Sequence, residues 1–202
     1  MRNRHVFWLI NVIILLAVLP FAVSAEKVVL SPDTPDESII HMDPKDVDPS
    51  LLPLDSIKTL HTTGVAQNID VTTWRLHIEG KALVRSLDLT YGELQRMPSV
   101  SKRVLLICPG FFADYVEWQG VSLRSLLDRA GLKQDFSSVN FESVDGYSGR
   151  FSRKEVENNL ILLALGVNGQ ILPKEHGFPA RVVAEGLLGG RWVKWLSRVE
   201  VN

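Results

Sequence analysis

The chain's only cysteine, Cys108, lies where an apolar run ends in a turn. Residues Val104 to Ile107 predict a strand, and Pro109 and Gly110 interrupt it directly after the cysteine. A single thiol cannot form an internal disulfide, so a hydrophobic core has to hold this fold together. The residues alone leave two interpretations of Cys108: a small buried hydrophobe, or a metal ligand or nucleophile.

The composition indicates one globular domain with additional segments. The chain has 202 residues, of which 46% are hydrophobic and 22% charged, as in ordinary soluble domains. This length fits one domain of about 130 to 150 residues with appendages. The net charge of −1 lacks the basic excess of nucleic-acid-binding proteins, so we expect no nucleic-acid partner.

Residues 1–25 have the pattern of an export signal. Arg2 and Arg4 precede an almost unbroken apolar run over residues 6–19, and Val23 to Ala25 fits a small-residue cleavage site. The pattern predicts a signal peptide over residues 1–25, or an uncleaved membrane anchor through residues 6–25. In either case the positive charges stay in the cytoplasm, so we expect a periplasmic or extracellular domain.

Residues 26–70 predict a leader that precedes the globular domain. This segment is rich in proline and aspartate and has little hydrophobic periodicity, which is typical of an extended, partly ordered linker. Its histidines, His41 and His61, are isolated in the sequence and predict no site. The globular domain is expected over residues 71–202, beginning with the alternating strand Trp74 to Glu79.

Short helices are interspersed among the predicted strands of this domain. Thr90 with Glu93 and Ser152 with Glu155 form capping boxes, and a third helix is expected between Ser122 and Gly131.

The remaining patterns are turns, strands and loops. Asp145-Gly146 and Asn168-Gly169 predict turns, Ala180 to Ala184 a strand, and Phe111 to Trp118 an aromatic loop. The domain is therefore expected to be α+β, with a mixed β-sheet or partial barrel and short helices. The sequence contains none of the common nucleotide-binding, zinc-protease or esterase motifs.

The order of several short motifs resembles one known family. They are WRLHIEG (74–80), LDLTYGEL (87–94), the Cys108 strand, WQGVSLRSLLDRAG (118–131), FESVDGY (141–147), VNGQILPKEHGFPAR (167–181) and WVKWL (192–196). In this order and spacing they resemble the molybdopterin-binding domain of the sulfite oxidase and periplasmic sulfoxide reductase superfamily. The resemblance covers about residues 71–202 and implies the α+β fold of that domain.

The resemblance implies a molybdenum-molybdopterin cofactor and a set of residues that hold it. Cys108 would ligate molybdenum and be the catalytic residue, since a soft thiolate suits such a metal while the pterin brings further sulfurs. His176 and Arg181 would lie along the pterin, and Ser143 would hydrogen-bond its edge. The phosphate end would be held by Lys194 and by the backbone of Trp192 and Val193.

The family resemblance also implies oxygen-atom transfer to or from a small-molecule oxo donor or acceptor. Sulfite would need cations beside the metal, whereas residues 109–114 bring aromatic side chains and Asp114, so we expect a neutral sulfoxide or similar compound. A haem-attachment motif needs two cysteines, so electrons would have to pass through a separate redox protein.

Two alternatives stand beside the molybdopterin oxidoreductase. Arg2-Asn3-Arg4 is not the twin arginine of proteins exported with a bound cofactor, which favours a non-catalytic envelope binding module that docks a partner through the aromatic loop. A third interpretation makes Cys108 a nucleophile with His176 or His77 as its base.

Overall fold

A computed structural model describes residues 26–202 of the chain, which form twelve strands and four short α-helices. The strands are β1 Val28–Val29, β2 Val47–Asp48, β3 Arg75–Glu79, β4 Leu87–Thr90, β5 Val100–Cys108, β6 Phe112–Ser122, β7 Ser138–Ser143, β8 Ser148–Ser152, β9 Ile161–Val167, β10 Gln170–Ile171, β11 Arg181–Ala184 and β12 Leu196–Val201. The α-helices are α1 Asp36–Ile39, α2 Tyr91–Gln95, α3 Leu123–Ala130 and α4 Arg153–Asn158, with single 3₁₀ turns at Lys174–His176 and Gly189–Arg191.

Two five-stranded sheets carry the domain. One has the order β10-β9-β6-β5, with β11 also paired to β9, and all its pairs are antiparallel. The other has the order β4-β3-β12-β7-β8 and is mixed, because β12 runs parallel to β3 and antiparallel to β7. A continuous hydrophobic core joins the buried faces of both sheets and helix α3. The predicted α+β class with a mixed sheet is therefore confirmed.

The predicted helix starts and hairpins agree with the structure. Both capping boxes form, at Thr90 and at Ser152, and Ser122 caps α3 by accepting a hydrogen bond from the Ser125 N–H. The chain leaves α3 at Gly131 with a φ of 75°, the left-handed conformation that glycine adopts readily. Antiparallel hairpins span the two predicted turns, β7 with β8 and β9 with β10.

The predicted aromatic loop over Phe111 to Trp118 is wrong. From Phe112 onward this segment is strand β6, paired residue for residue with β5 from Cys108 opposite Phe112 to Val100 opposite Gly120. Pro109 and Gly110 make only a short turn, with the Gly110 φ at 74°. Aromatic residues suit a pleated, half-buried surface, and from Phe112 onward these residues pair with strand β5 directly after the turn.

The leader packs against the domain. Leu30, Ile39 and Val47 from residues 26–70 form a buried cluster with Leu105 and Ile107 of β5, a packing that its proline- and aspartate-rich sequence does not reveal. The expected domain boundary at residue 71 stays a prediction. No helix within residues 26–202 is long and apolar enough to cross a membrane. The expected signal peptide or anchor falls in residues 1–25, outside the described part of the chain.

Candidate functional site

A cavity of about 340 Å³ lies at the end of β5 and gathers most of the predicted site residues. Cys108, Ser143, His176, Arg181, Trp192 and Lys194 all line it. Val193 does not: its side chain is fully buried in the core, and its carbonyl accepts a hydrogen bond from the Val182 N–H at 2.8 Å. Strands and turns that are far apart in the sequence therefore meet at this cavity.

Cys108 is half-buried at the end of β5, where the turn to β6 brings it to the cavity wall. Burial raises the pKa of its thiol, and the nearby Asp114 raises this pKa further. A nucleophilic cysteine needs the opposite, a lowered pKa, so the interpretation as a thiol enzyme loses support. Within residues 26–202, no cluster of three His, Cys, Asp or Glu side chains could hold a metal ion by itself.

Arg181 is a buried cation in the cavity wall. Its side chain is buried, its Nη1 donates to the His176 carbonyl at 3.1 Å, and burial lowers its pKa to about 10. The guanidinium carbon lies 4.8 Å from the Trp118 ring centroid and 5.8 Å from that of Trp192. Its Nε is buried with no hydrogen-bond partner within residues 26–202.

Lys194 and His176 add basic groups beside Arg181. Burial, and after it the charge of Arg181, lowers the pKa of Lys194 to about 8. The pKa of His176 is also lowered, by burial first and then by the charges of Arg181 and Lys194. The Lys194 ammonium donates to the carbonyls of Thr63 and of Glu175. Neither Arg181 nor Lys194 forms an ion pair with a carboxylate in the described part of the chain, although Asp145 lies near enough to raise the Lys194 pKa slightly.

Glycines allow these groups to come together. Gly177 has a φ of 111°, and a Cβ there would lie 3.0 Å from the Cβ atoms of both Arg181 and Lys194. A Cβ on Gly189 would overlap the Leu106 side chain, so glycine lets the Gly189–Arg191 turn lie directly on β5. At Gly177 the positive φ adds a backbone conformation that glycine adopts most readily.

Ser143 and Trp192 are more constrained than the sequence suggested. The Ser143 hydroxyl donates to the Trp195 carbonyl at 3.4 Å and accepts from the Asp145 N–H at 3.3 Å. The backbone N–H of Trp192 donates to the Gly189 carbonyl at 2.9 Å, so this N–H is not free for a phosphate. Its side chain still forms part of the cavity wall.

The molybdopterin cofactor implied by the resemblance fits this donor set. A phosphate-bearing ligand would supply a negative charge to pair with the cations Arg181 and Lys194. The N–H at Arg181 Nε has no acceptor within residues 26–202. A single thiolate suffices as protein ligand when the cofactor brings its own sulfurs. The chemistry of the residues thus matches an anionic group that carries a metal.

Sequence reasoning missed His61 and misplaced Asp114. His61 lines the cavity, and its Nδ1 lies 2.8 Å from Oδ1 of Asp114, a residue 53 positions further along the chain. Asp114 was expected to face the substrate from a loop, but it lies on β6 with only 4% of its surface exposed and does not line the cavity. No local pattern could have paired two residues so far apart in sequence.

Comparisons with known proteins agree with this geometry. Residues 62–202 match the family model described as "Oxidoreductase molybdopterin binding domain". The mitochondrial sulfite oxidases of Rattus norvegicus and Homo sapiens are each 34% identical over 164 residues, which is 67% of this chain and 30% of each relative. The crystal structure of the sulfane dehydrogenase SoxCD from Paracoccus pantotrophus has 28% identity and a TM-score of 0.62, over 67% of this chain and 40% of that chain. This chain therefore spans about 30% of the length of these curated relatives.

Proposed function

The chain belongs to the oxidoreductase molybdopterin-binding domain family, whose cofactor is molybdenum-molybdopterin, and we propose that it is an exported oxidoreductase with Cys108 as its metal ligand. The cofactor, when bound, supplies the redox centre for oxygen-atom transfer to or from a small molecule. The observation that carries this proposal is one cavity that joins a free thiol to a buried arginine, Arg181, which has no anionic partner within residues 26–202.

The roles proposed for the other residues follow from charge and burial. Arg181 and Lys194 would bind the phosphate end of the cofactor, because both cations are buried, which lowers their pKa values, and neither forms an ion pair with a carboxylate within residues 26–202. His176, buried beside them, would contact the pterin. Ser143 and Trp192 would shape the wall, since their hydroxyl and backbone N–H already have partners.

A neutral oxo compound such as a sulfoxide is the substrate class that we propose. The cations of the cavity are those assigned to the cofactor, which leaves few for a dianion such as sulfite. The remaining wall includes the aromatic side chains of Phe112, Tyr147 and Trp195, which suit an uncharged molecule.

Electrons would be exchanged with a separate redox protein. Cys108 is the only cysteine of the chain, so no haem-attachment motif or cysteine-bound cluster can serve as a second redox centre. The expected signal peptide or anchor in residues 1–25 supports a periplasmic or extracellular location for both proteins.

The test is elemental analysis of the purified protein from its native compartment, with Cys108→Ser as the variant. We expect near-stoichiometric molybdenum in the wild type and its loss from the variant. The cofactor-free forms of both proteins should melt at the same temperature, because serine preserves the shape of the site, whereas the loaded wild type should melt higher. Wild-type protein without molybdenum, from cells that make the cofactor, would contradict the proposal and leave a binding module with this fold.

A further inference from the structure

His61 is the one leader side chain that forms an ordered polar contact inside the cavity wall. Its ring stacks on Phe112, with centroids 4.7 Å apart and planes 12° apart, and both residues line the cavity. The family match begins at residue 62, so His61 stands just outside the part of the chain that the family model describes.

Asp114 fixes the orientation of the His61 ring. The carboxylate lies 2.8 Å from Nδ1 through Oδ1 and accepts the His61 backbone N–H through Oδ2 at 3.2 Å. Since a carboxylate only accepts, Nδ1 carries the hydrogen in this pair. The other ring nitrogen, Nε2, has no protein partner within residues 26–202 and is the one left for a ligand.

The hydrogen bonds from His61 compensate the burial of the Asp114 carboxylate. Burial raises the pKa of Asp114, while its hydrogen bonds from the His61 ring and backbone lower it, so the buried carboxyl depends on His61 for its polar partners. The other charged or titratable groups that interact with Asp114 are Asp55, Cys108 and Arg181. None of them hydrogen-bonds the His61 ring.

We propose that His61 is a catalytic proton donor whose Nε2 contacts the oxygen of the oxo substrate, with Asp114 as its positioning residue. The inference rests on the function proposed above for the same cavity. In the reduction of a sulfoxide the S–O bond breaks, the sulfur takes two electrons from the redox partner, and the oxygen leaves as water after receiving two protons. Nε2 gives one of these protons, and solvent gives the other.

The geometry allows the donor to be reloaded between turnovers. The His61 side chain is 54% exposed while that of Asp114 is 5% exposed, so one edge of the ring meets water and the other meets a buried carboxylate. Nδ1 keeps its hydrogen throughout, and the proton released from Nε2 returns from solvent. This arrangement, an exposed imidazole oriented by a buried acid, is typical of general acid–base groups.

The variant that isolates this role is His61→Asn. An asparagine amide reaches the position of Nδ1 and keeps a hydrogen bond to Asp114, but it offers nothing at the position of Nε2. The matched control is His77→Asn, because His77 forms a similar pair with Asp88, at 3.3 Å, on the exposed surface of β3. Neither His77 nor Asp88 lines the cavity.

Two measurements on the molybdenum-loaded protein test the proposal. Titration with dimethyl sulfoxide, followed by ¹⁵N resonances of histidine rings, should shift Nε2 of His61 and leave His77 unchanged. Dimethyl sulfoxide reduction with reduced viologen should fall about 100-fold or more in His61→Asn, with molybdenum content and melting temperature unchanged, and should not fall in His77→Asn.

The outcomes separate this inference from the proposed function. A loaded His61→Asn variant that keeps turnover within about threefold of wild type, or a His61 ring that does not respond to dimethyl sulfoxide, overturns the role of His61 alone. Wild-type protein without molybdenum overturns the proposed function and the reaction step with it. In that case the same ¹⁵N titration, made on the cofactor-free protein, still decides whether His61 contacts the oxo compound.

Discussion

Lys194 illustrates how a single residue can reveal what its site binds. Its ammonium donates to two carbonyls, from Thr63 of the leader and from Glu175, and no carboxylate in the described residues 26–202 pairs with it. Burial, and after it the charge of Arg181, lowers the pKa of Lys194 to about 8 from an ordinary value of 10.5. A buried cation of this kind lowers the stability of the cofactor-free protein and increases its affinity for an anion.

We therefore predict a pH dependence of stability in the cofactor-free protein. Above pH 8 the folded Lys194 loses its proton while the unfolded chain keeps it up to about pH 10.5, so the stability contributed by this group rises between these pH values. The melting temperature of wild type should rise more between pH 8 and 10 than that of Lys194→Met. Lys58→Met, which removes an exposed lysine, should behave as wild type, and equal slopes in all three proteins would contradict the prediction.

At the residue scale, the family resemblance predicted more of the cavity residues than the spacing of residues along the chain did. Cys108, His176, Arg181 and Lys194 are scattered over nearly ninety positions, and their meeting in one cavity follows from the order of family motifs. The His61–Asp114 pair could not be found in this way, because its histidine precedes the matched region.

At the scale of elements, the short Gly189–Arg191 turn depends on a distant helix. Gly189 and Gly190 line the cavity, and Arg191 bonds both carboxylate oxygens of Glu155, which also completes the capping box of α4. These bonds, those from Arg191 first, lower the pKa of Glu155 to about 2. Helix α4 thus holds one wall of the site in place.

This pair predicts a loss of stability in acid. A carboxyl whose folded pKa lies below its unfolded value contributes stability above about pH 4.5 and loses it as the pH falls toward 2. Glu155→Gln should lower the free energy of unfolding at pH 7 by about 1 kcal/mol, since the pair is partly exposed, and should flatten the acid slope. Urea denaturation at pH 7 and pH 3 measures both effects. Glu157→Gln, on the same helix, serves as the control, and a Glu155→Gln slope equal to wild type would exclude this role.

Helix caps and tight turns were predictable from the sequence, because neighbouring residues determine the backbone conformation there. Capping boxes and the Asn168-Gly169 turn depend on side chains within three positions of each other, and all of them form. Strand β6 depends on its partner β5, and its aromatic residues alone do not distinguish a strand from an exposed loop. Pairing across a turn is a non-local property, which is why that prediction failed.

At the scale of the whole molecule, the leader and the cavity share strand β5. Side chains alternate along a strand, so Leu105 and Ile107 face the leader cluster while Leu106 and Cys108 face the cavity. The leader also supplies His61 and the Thr63 carbonyl to the cavity wall. A composition rich in proline and aspartate indicates little regular structure, but it does not report the few apolar side chains that anchor a segment.

This sharing predicts that the leader unfolds together with the domain. Leu30 is fully buried among Ile39, Val47 and the outer face of β5, so Leu30→Ala should lower the free energy of unfolding by about 2 to 5 kcal/mol. Leu51→Ala, which truncates a leader side chain that is 61% exposed, should change it by less than about 0.5 kcal/mol. Urea denaturation followed by tryptophan fluorescence suits the measurement, because all the tryptophans within residues 26–202 lie in the domain and none in the leader. A Leu30→Ala curve that coincides with wild type would mean that the leader melts independently, and β5 would then be stabilised by the two sheets alone.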